Sequence, residues 1–278
     1  MPINLIGRPI AISGASSGIG LATAFACAKA GMPVALAARR EDKLRLAVEQ
    51  INAQGGKAIA IPCDVTDPAQ ASAFIEQARS QLGGLYAVFA NAGYGYEGSI
   101  ADAPESQLRD IFEANFWGSL NIIRPALIHL RSARTGHVLW CSSCLSKIAI
   151  PYYGSYSATK AAQDHFARAM RHELRPEGIH VSSIHPIGTR TEFFDTADKR
   201  SRETPKGAGA RLTLSTPAPM LPPPERVATA IVRCLRSPRG EVWTSPPTRW
   251  LLGLATMAPQ LTDAILRRLI ERRLKKSN

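Results

Sequence analysis

Short, almost unbroken apolar runs punctuate the chain: PIAIS at 9–13, PVALAA at 33–38, KAIAIPC at 57–63, YAVFA at 86–90, HVLWCS at 137–142 and HVSSIH at 180–185. Runs of this length without polar alternation are the pattern of strands covered on both faces, as in a parallel sheet. The segments between them place apolar residues at helical spacing, so the chain reads as repeated βαβ units. The expectation is an α/β fold with one doubly wound parallel sheet. Unbroken alternation favours a single domain, taken as residues 1–248.

The alternation stops near residue 192. SRETPKGAGARLTLSTPAPMLPPP, at 201–224, is rich in Pro, Gly, Ser and Thr and reads as a long loop. Long loops in compact domains are often functional, so 192–223 is assigned as a substrate loop. Pro224 and Glu225 suit a helix start for the Val227, Ile231, Leu235 face, and Glu241 to Thr244 reads as a last short strand. The remaining 249–278 begins with WLLGLATM and ends in a basic amphipathic segment. Leu261, Ile265, Leu266, Leu269 and Ile270 fall near one face, with arginines and lysines elsewhere. Such a tail either lies on an anionic membrane surface or packs on its own domain or a partner subunit.

Composition changes this picture in two places. With 45% hydrophobic and 20% charged residues among 278, the chain can bury a core, which excludes a disordered protein. Its net charge of +12 is uneven: residues 1–198 carry +1 and residues 199–278 carry +11. A nucleic-acid partner for the whole domain is therefore not expected, and the tail lacks the aromatic interleaving of a single-strand binder. The five cysteines have no disulfide-framework spacing, no signal peptide is visible, and no apolar run reaches a membrane span. A cytoplasmic protein with free thiols is expected, membrane-associated if the tail binds lipid.

Candidate chemistry starts at SGASSGIG, which places Gly14, Gly18 and Gly20 between the first strand and a helix. Glycine there permits a sharp turn and lets backbone N–H groups approach a pyrophosphate at a helix N-terminus. The sheet is accordingly of the Rossmann type. After the second strand, where many such folds carry an acid for the ribose, this chain has Arg39 and Arg40. Arginine favours a 2′-phosphate, hence NADP(H) over NAD(H), with Arg39 the first choice.

Together with Asp64 in CDVTD, NAG at 91–93, Asn115 in NFWG and YSATK at 156–160, this turn resembles the short-chain dehydrogenase/reductase family over residues 8–191. The resemblance implies that Ser16, Ser17 and Ile19 complete the glycine turn and that Asp64 and Val65 hold the adenine end. It implies that Asn91, Ala92 and Gly93 line the cofactor, as do Pro186 and Thr191, and that Asn115 fixes a water in a proton relay. A serine thirteen positions before the tyrosine, Ser143, would polarise the substrate oxygen, with Ser146 as alternative. Homo-oligomers are common in the family. Its activity would be carbonyl–alcohol interconversion on a small or lipophilic molecule.

Physics narrows the tyrosines. A phenol titrates near 10 and is a sluggish proton carrier unless a cation stabilises its ionised form. Tyr156 and Lys160, four residues apart, share a helical face, whereas Tyr152 and Tyr153 sit behind Pro151 and Gly154. HPIGTRT departs from the family's Pro-Gly: Ile187 stands where glycine is usual, so a different loop path is expected, with Gly188 supplying freedom. Cys141 and Cys144 form C-x-x-C without a second pair, and the six histidines show no ligand spacing, so no metal is expected. A non-catalytic NADP(H) sensor of the same fold is the alternative, disfavoured by the intact Ser, Tyr and Lys set.

Overall fold

The computed structural model describes residues 1–193, Ala197 and 221–277. In chain order the elements are β1 (Ile10–Ser13), α1 (Gly18–Lys29), β2 (Val34–Ala38), α2 (Glu41–Ala53), β3 (Ala58–Pro62), α3 (Pro68–Leu82), β4 (Ala87–Ala90) and α4 (Glu105–Phe112). A π-helical stretch, Glu113–Trp117, leads into α5 (Gly118–Ala133), followed by β5 (Gly136–Cys141), α6 (Gly154–Leu174) and β6 (Ile179–His185). Then come α7 (Pro224–Arg236), β7 (Glu241–Trp243), α8 (Pro246–Met257) and α9 (Pro259–Ser277). Most of the assigned substrate loop, 194–196 and 198–220, lies outside the described residues.

All seven strands are parallel, in the order β3-β2-β1-β4-β5-β6-β7. Ile10 pairs with Val34 on one side and Ala87 on the other. Alternate residues of each strand feed opposite cores, which is why the runs are apolar throughout. Ala11, Val88, Val138 and Val181 face the side of α3, α5 and α6. Ile10, Ile12, Phe89, Leu139 and Ile184 face α1, α2 and α7. Full burial of side chains such as Phe89 contributes about 1.5–3 kcal/mol each.

The winding reverses between β1 and β4, so the loops leaving these strands diverge and open a crevice at the C-terminal edge of the sheet. Every strand end delivers its following loop to that edge. The tail differs from a single amphipathic segment: the apolar run is itself helix α8, and the break at Ala258 precedes Pro259, whose ring nitrogen cannot continue the helical hydrogen bonding.

Candidate active site

A cleft of about 1200 Å³ occupies the crevice, lined by the residues that follow β1 to β6. It brings together Gly14, Ser16, Ser17, Gly18, Ile19, Arg39, Asp64, Val65, Asn91, Ala92, Gly93, Ser143, Tyr156, Lys160, Pro186 and Thr191. Gly20 and Asn115 lie just behind the wall rather than on it.

The glycine turn is built for close approach. Gly14 adopts φ +64, and a Cβ there would fall 2.8 Å from Ala92 Cα; one on Gly20 would fall 2.3 Å from the Gly14 carbonyl. Asn91 locks the turn to β4: its Nδ2 donates to the carbonyls of Ser13 and Gly14 at 3.1 and 3.2 Å. The Ser13 hydroxyl accepts from the N–H groups of Asn91 and Ala92, a role that a serine closing an apolar strand does not advertise in sequence. Helix α1 starts at Gly18 with no side-chain cap and no acid in its first turn. Its first N–H groups thus suit an anion, the requirement of a dinucleotide pyrophosphate.

The two arginines part company. Arg39 turns outward over Asp64, at 3.8 Å. Arg40 folds back on the glycine turn, donating to Ser16 Oγ at 3.0 and 3.2 Å and to Ser17 Oγ at 2.8 Å. Glu192 meets Arg40 and Lys43, both at 2.7 Å, and their hydrogen bonds hold its carboxyl down at about 2. Asp64 serves as a turn acid, its carboxylate accepting from the Thr66 N–H and hydroxyl, while its residue still lines the cleft.

Helix α6 carries the candidate catalytic tyrosine and lysine. Tyr156, Lys160 and Gln163 recur at helical spacing and are all buried. Lys160 Nζ donates to the Cys141 carbonyl at 2.7 Å and to Gln163 Oε1 at 3.0 Å, and lies 5.6 Å from the centre of the Tyr156 ring. Burial pushes the Tyr156 phenol up, a hydrogen bond with Ser143 opposing it, and burial pulls the Lys160 ammonium down. Desolvation of the phenolate is thus the largest influence on the phenol.

Asn115 sits in the π-helical stretch, fully buried. Its side chain clamps Tyr94, accepting from the backbone N–H at 2.9 Å and donating to the carbonyl at 3.0 Å, and donates to Thr159 Oγ1 at 3.1 Å. The Asn115 carbonyl accepts from Gln163 Nε2 at 2.5 Å and Ser119 Oγ at 2.7 Å. Gln163 therefore spans Lys160 and Asn115 directly. Sequence reasoning passed over Gln163, although its position seven residues after Tyr156 on the same face was visible.

Of the two serine candidates, Ser143 lines the cleft together with Tyr156, whereas Ser146 Oγ meets His185 Nδ1 at 3.3 Å. His185 does not reach the cleft. It is fully buried beneath the serine turn, stacked on Trp243 at 4.4 Å, with Nδ1 3.1 Å from the Ser143 carbonyl and Nε2 3.3 Å from Asp164 Oδ1. Burial works against the Asp164 carboxylate, yet His185 and Lys147 hold its titration well below the usual range. Asp164, His185 and Glu241 approach within 4.8 Å of one another, but the Lys147 ammonium already bridges both carboxylates at 2.5 and 3.2 Å. That cation offsets one of the two carboxylate charges of the cluster.

Ile187 proves compatible with its loop. Neither it nor Gly188 adopts a left-handed φ, so the freedom expected of Gly188 is not used. The segment is held instead by the Cys144 N–H on the Pro186 carbonyl at 3.1 Å and the Ile187 N–H on Thr244 Oγ1 at 3.3 Å. Thr191 packs against Gly18, where an added Cβ would meet its methyl at 3.0 Å. The C-x-x-C cysteines are free, and burial raises both thiols.

The family model described as short chain dehydrogenase matches residues 8–202. The chain is 30% identical over 269 residues to the ketoacyl reductase HetN of Nostoc sp., covering 95% of this chain and 89% of that protein. It is 31% identical over 267 residues to 11-beta-hydroxysteroid dehydrogenase-like 2 of Arabidopsis thaliana, covering 95% and 82%. Among solved structures, a short chain dehydrogenase/reductase from Burkholderia phymatum in complex with NAD superposes with a TM-score of 0.81 at 23% identity, covering 94% of this chain and 96% of that one. An alcohol dehydrogenase from Thermococcus sibiricus complexed with 5-hydroxy-NADP gives 0.72 at 27% identity, covering 85% and 95%.

Proposed function

The chain belongs to the short-chain dehydrogenase/reductase family, a family of oxidoreductases, and we propose that it interconverts a carbonyl and an alcohol on a small lipophilic molecule, using NADP(H) in preference to NAD(H). The observation that carries this reading is that Tyr156, Lys160 and Ser143 line the same cleft, with the Lys160 ammonium 5.6 Å from the centre of the Tyr156 ring.

A nicotinamide dinucleotide held by Gly14, Gly18 and Asn91 would supply or accept the hydride. Tyr156 moves the proton: its Oη gives a proton to the substrate oxygen in reduction and takes it back in oxidation. Burial keeps the phenol protonated at neutral pH, the form that carbonyl reduction needs. Ser143 Oγ donates a hydrogen bond to the same oxygen where negative charge develops. Lys160 maintains a positive potential beside the phenol and suits the ribose hydroxyls, its direction fixed by Cys141 and Gln163. Asn115 and Thr159 brace the wall behind them.

Arg40, with Lys43 beside it and Arg39 on the rim, supports a 2′-phosphate at the glycine turn, where charge-assisted hydrogen bonds to a phosphate are strong. Leu145, Ile150, Tyr153 and Phe193 around the Tyr156 end support a lipophilic substrate. Exposed Trp117 and Phe166 support a homo-oligomer, and the basic tail 249–278 supports a peripheral contact with an anionic surface.

A panel of aldehydes and ketones assayed with NADPH and with NADH tests the reading. Turnover with higher kcat/KM for NADPH is expected. Equal or better use of NADH would overturn the cofactor preference, and NADPH binding without turnover of any carbonyl would leave the sensor alternative standing.

A further inference from the structure

Helices α8 and α9 leave a stripe of large apolar side chains uncovered. Trp250, Leu254 and Met257 on α8 are 73%, 65% and 83% exposed, and Leu261 and Ile265 on α9 are 62% and 50% exposed. The spacing of four and three residues within α8, and of four within α9, puts these side chains on one face of each helix. Helix α8 buries no residue fully, touching the domain through the half-buried Thr248, Leu252 and Ala255. Monomeric soluble proteins seldom leave so many large apolar side chains open in neighbouring helices.

The place of the stripe gives it meaning. Strand β7 is parallel to the rest, so α8, which follows it, begins at the sheet edge where the cleft opens. It packs against the turn Cys144–Ser146, next to Ser143, and Leu145 of that turn lines the lipophilic end of the cleft. Helix α8, which carries part of the stripe, thus flanks the substrate end rather than the adenine end.

We propose that α8 and α9 form an interfacial dock that lays this protein on an anionic bilayer, with the cleft positioned to take a lipophilic carbonyl or alcohol directly from the lipid. The substrate part rests on the function proposed above; the docking part does not. Residues 246–278 hold seven Lys/Arg against two Asp/Glu. Each basic residue near an anionic leaflet contributes about 1 kcal/mol, and the apolar stripe adds its own burial. A second copy fits this surface poorly, because a two-fold contact sets the same patch against itself and opposes like charge with like. No helix among the described residues is long and apolar enough to cross a membrane, so the contact is peripheral.

The test uses the full chain with vesicles of phosphatidylcholine alone and of phosphatidylcholine mixed with phosphatidylglycerol. Co-sedimentation with the mixed vesicles, weakened by salt and much reduced with phosphatidylcholine alone, is expected. Tryptophan emission should shift to the blue on binding, and Trp250→Phe should remove that shift. The double variant Leu254→Ser/Met257→Ser should bind on the order of tenfold more weakly or worse. It should keep wild-type turnover of a water-soluble carbonyl yet lose turnover of a long-chain aldehyde presented in vesicles. Wild-type protein that stays in the supernatant with anionic vesicles overturns the dock, as does a solution dimer that this double variant dissociates. Vesicle binding without turnover of any carbonyl overturns the delivery and the proposed function, and leaves the dock supported.

Discussion

Replacing Gln163 by leucine removes a fully buried amide of similar volume and three hydrogen bonds: from Lys160 Nζ, to the Asn115 carbonyl and to Ser119 Oγ. No partner is orphaned, because Lys160 keeps the Cys141 carbonyl at 2.7 Å and Ser119 Oγ keeps the Asn115 carbonyl at 2.7 Å. At about 1 kcal/mol for each bond, the one to the charged ammonium somewhat more, the loss is about 3 kcal/mol. For a chain of this size that is a fall in Tm of roughly 6 °C. The catalytic effect has a sign as well. Burial already lowers the Lys160 titration, and removing an acceptor disfavours the ammonium further. The alkaline limb of the kcat profile should therefore move to lower pH in Gln163→Leu. In Gln163→Glu it should move up, because a carboxylate there favours the ammonium. Pre-steady-state or steady-state kcat profiles, with thermal unfolding of each variant, provide the measurement. A Gln163→Leu profile superimposed on that of the wild type would refute the assignment of Gln163 as the residue that positions Lys160.

Arg40→Ala should raise KM for NADPH on the order of tenfold and leave KM for NADH nearly unchanged, while Arg39→Ala has the smaller effect, as its side chain points outward; equal losses with both cofactors would remove the 2′-phosphate role. His137, fully buried with Nε2 2.7 Å from Ser182 Oγ, is pushed down from 6.5 to about 3 by burial, with His180 adding to the effect. The native state refuses a proton that the unfolded chain accepts, so stability falls as pH drops from near 6.5 toward 3, by about 2 kcal/mol between pH 7 and pH 5. Urea titrations at the two pH values should show that difference shrinking in His137→Gln, and an unchanged difference would count against it.

Much of the fold was legible because strands covered on both faces must be apolar at every position, and such runs stand out between helical patterns. The glycine turn was legible for a steric reason: only glycine fits beneath Ala92 and beside the Gly14 carbonyl. That Tyr156 and Lys160 share one face of α6 was legible from helical spacing, beside the family motif that singled them out. What stayed hidden depends on how elements cross. Which of two adjacent arginines folds back on Ser16 and Ser17 is decided by where α2 begins, one residue after Arg40. His185 and Asp164 lie far apart in sequence and meet only because β6 runs beside α6. Gln163 looked like an ordinary polar helix residue until the π-helical stretch turned the Asn115 carbonyl toward it. The apolar run after residue 249 did not reveal that its helix would face outward.

The most direct test is Tyr156→Phe, which deletes one hydroxyl from a buried ring already seated edge-on to Phe193. With a carbonyl that the wild type reduces, kcat should fall by about 10³-fold, within the range for loss of a general acid. NADPH binding, followed by fluorescence titration, should remain within about threefold of the wild type, a change under 1 kcal/mol. Turnover that survives the substitution with bound NADPH would contradict the assignment of Tyr156 as the proton carrier.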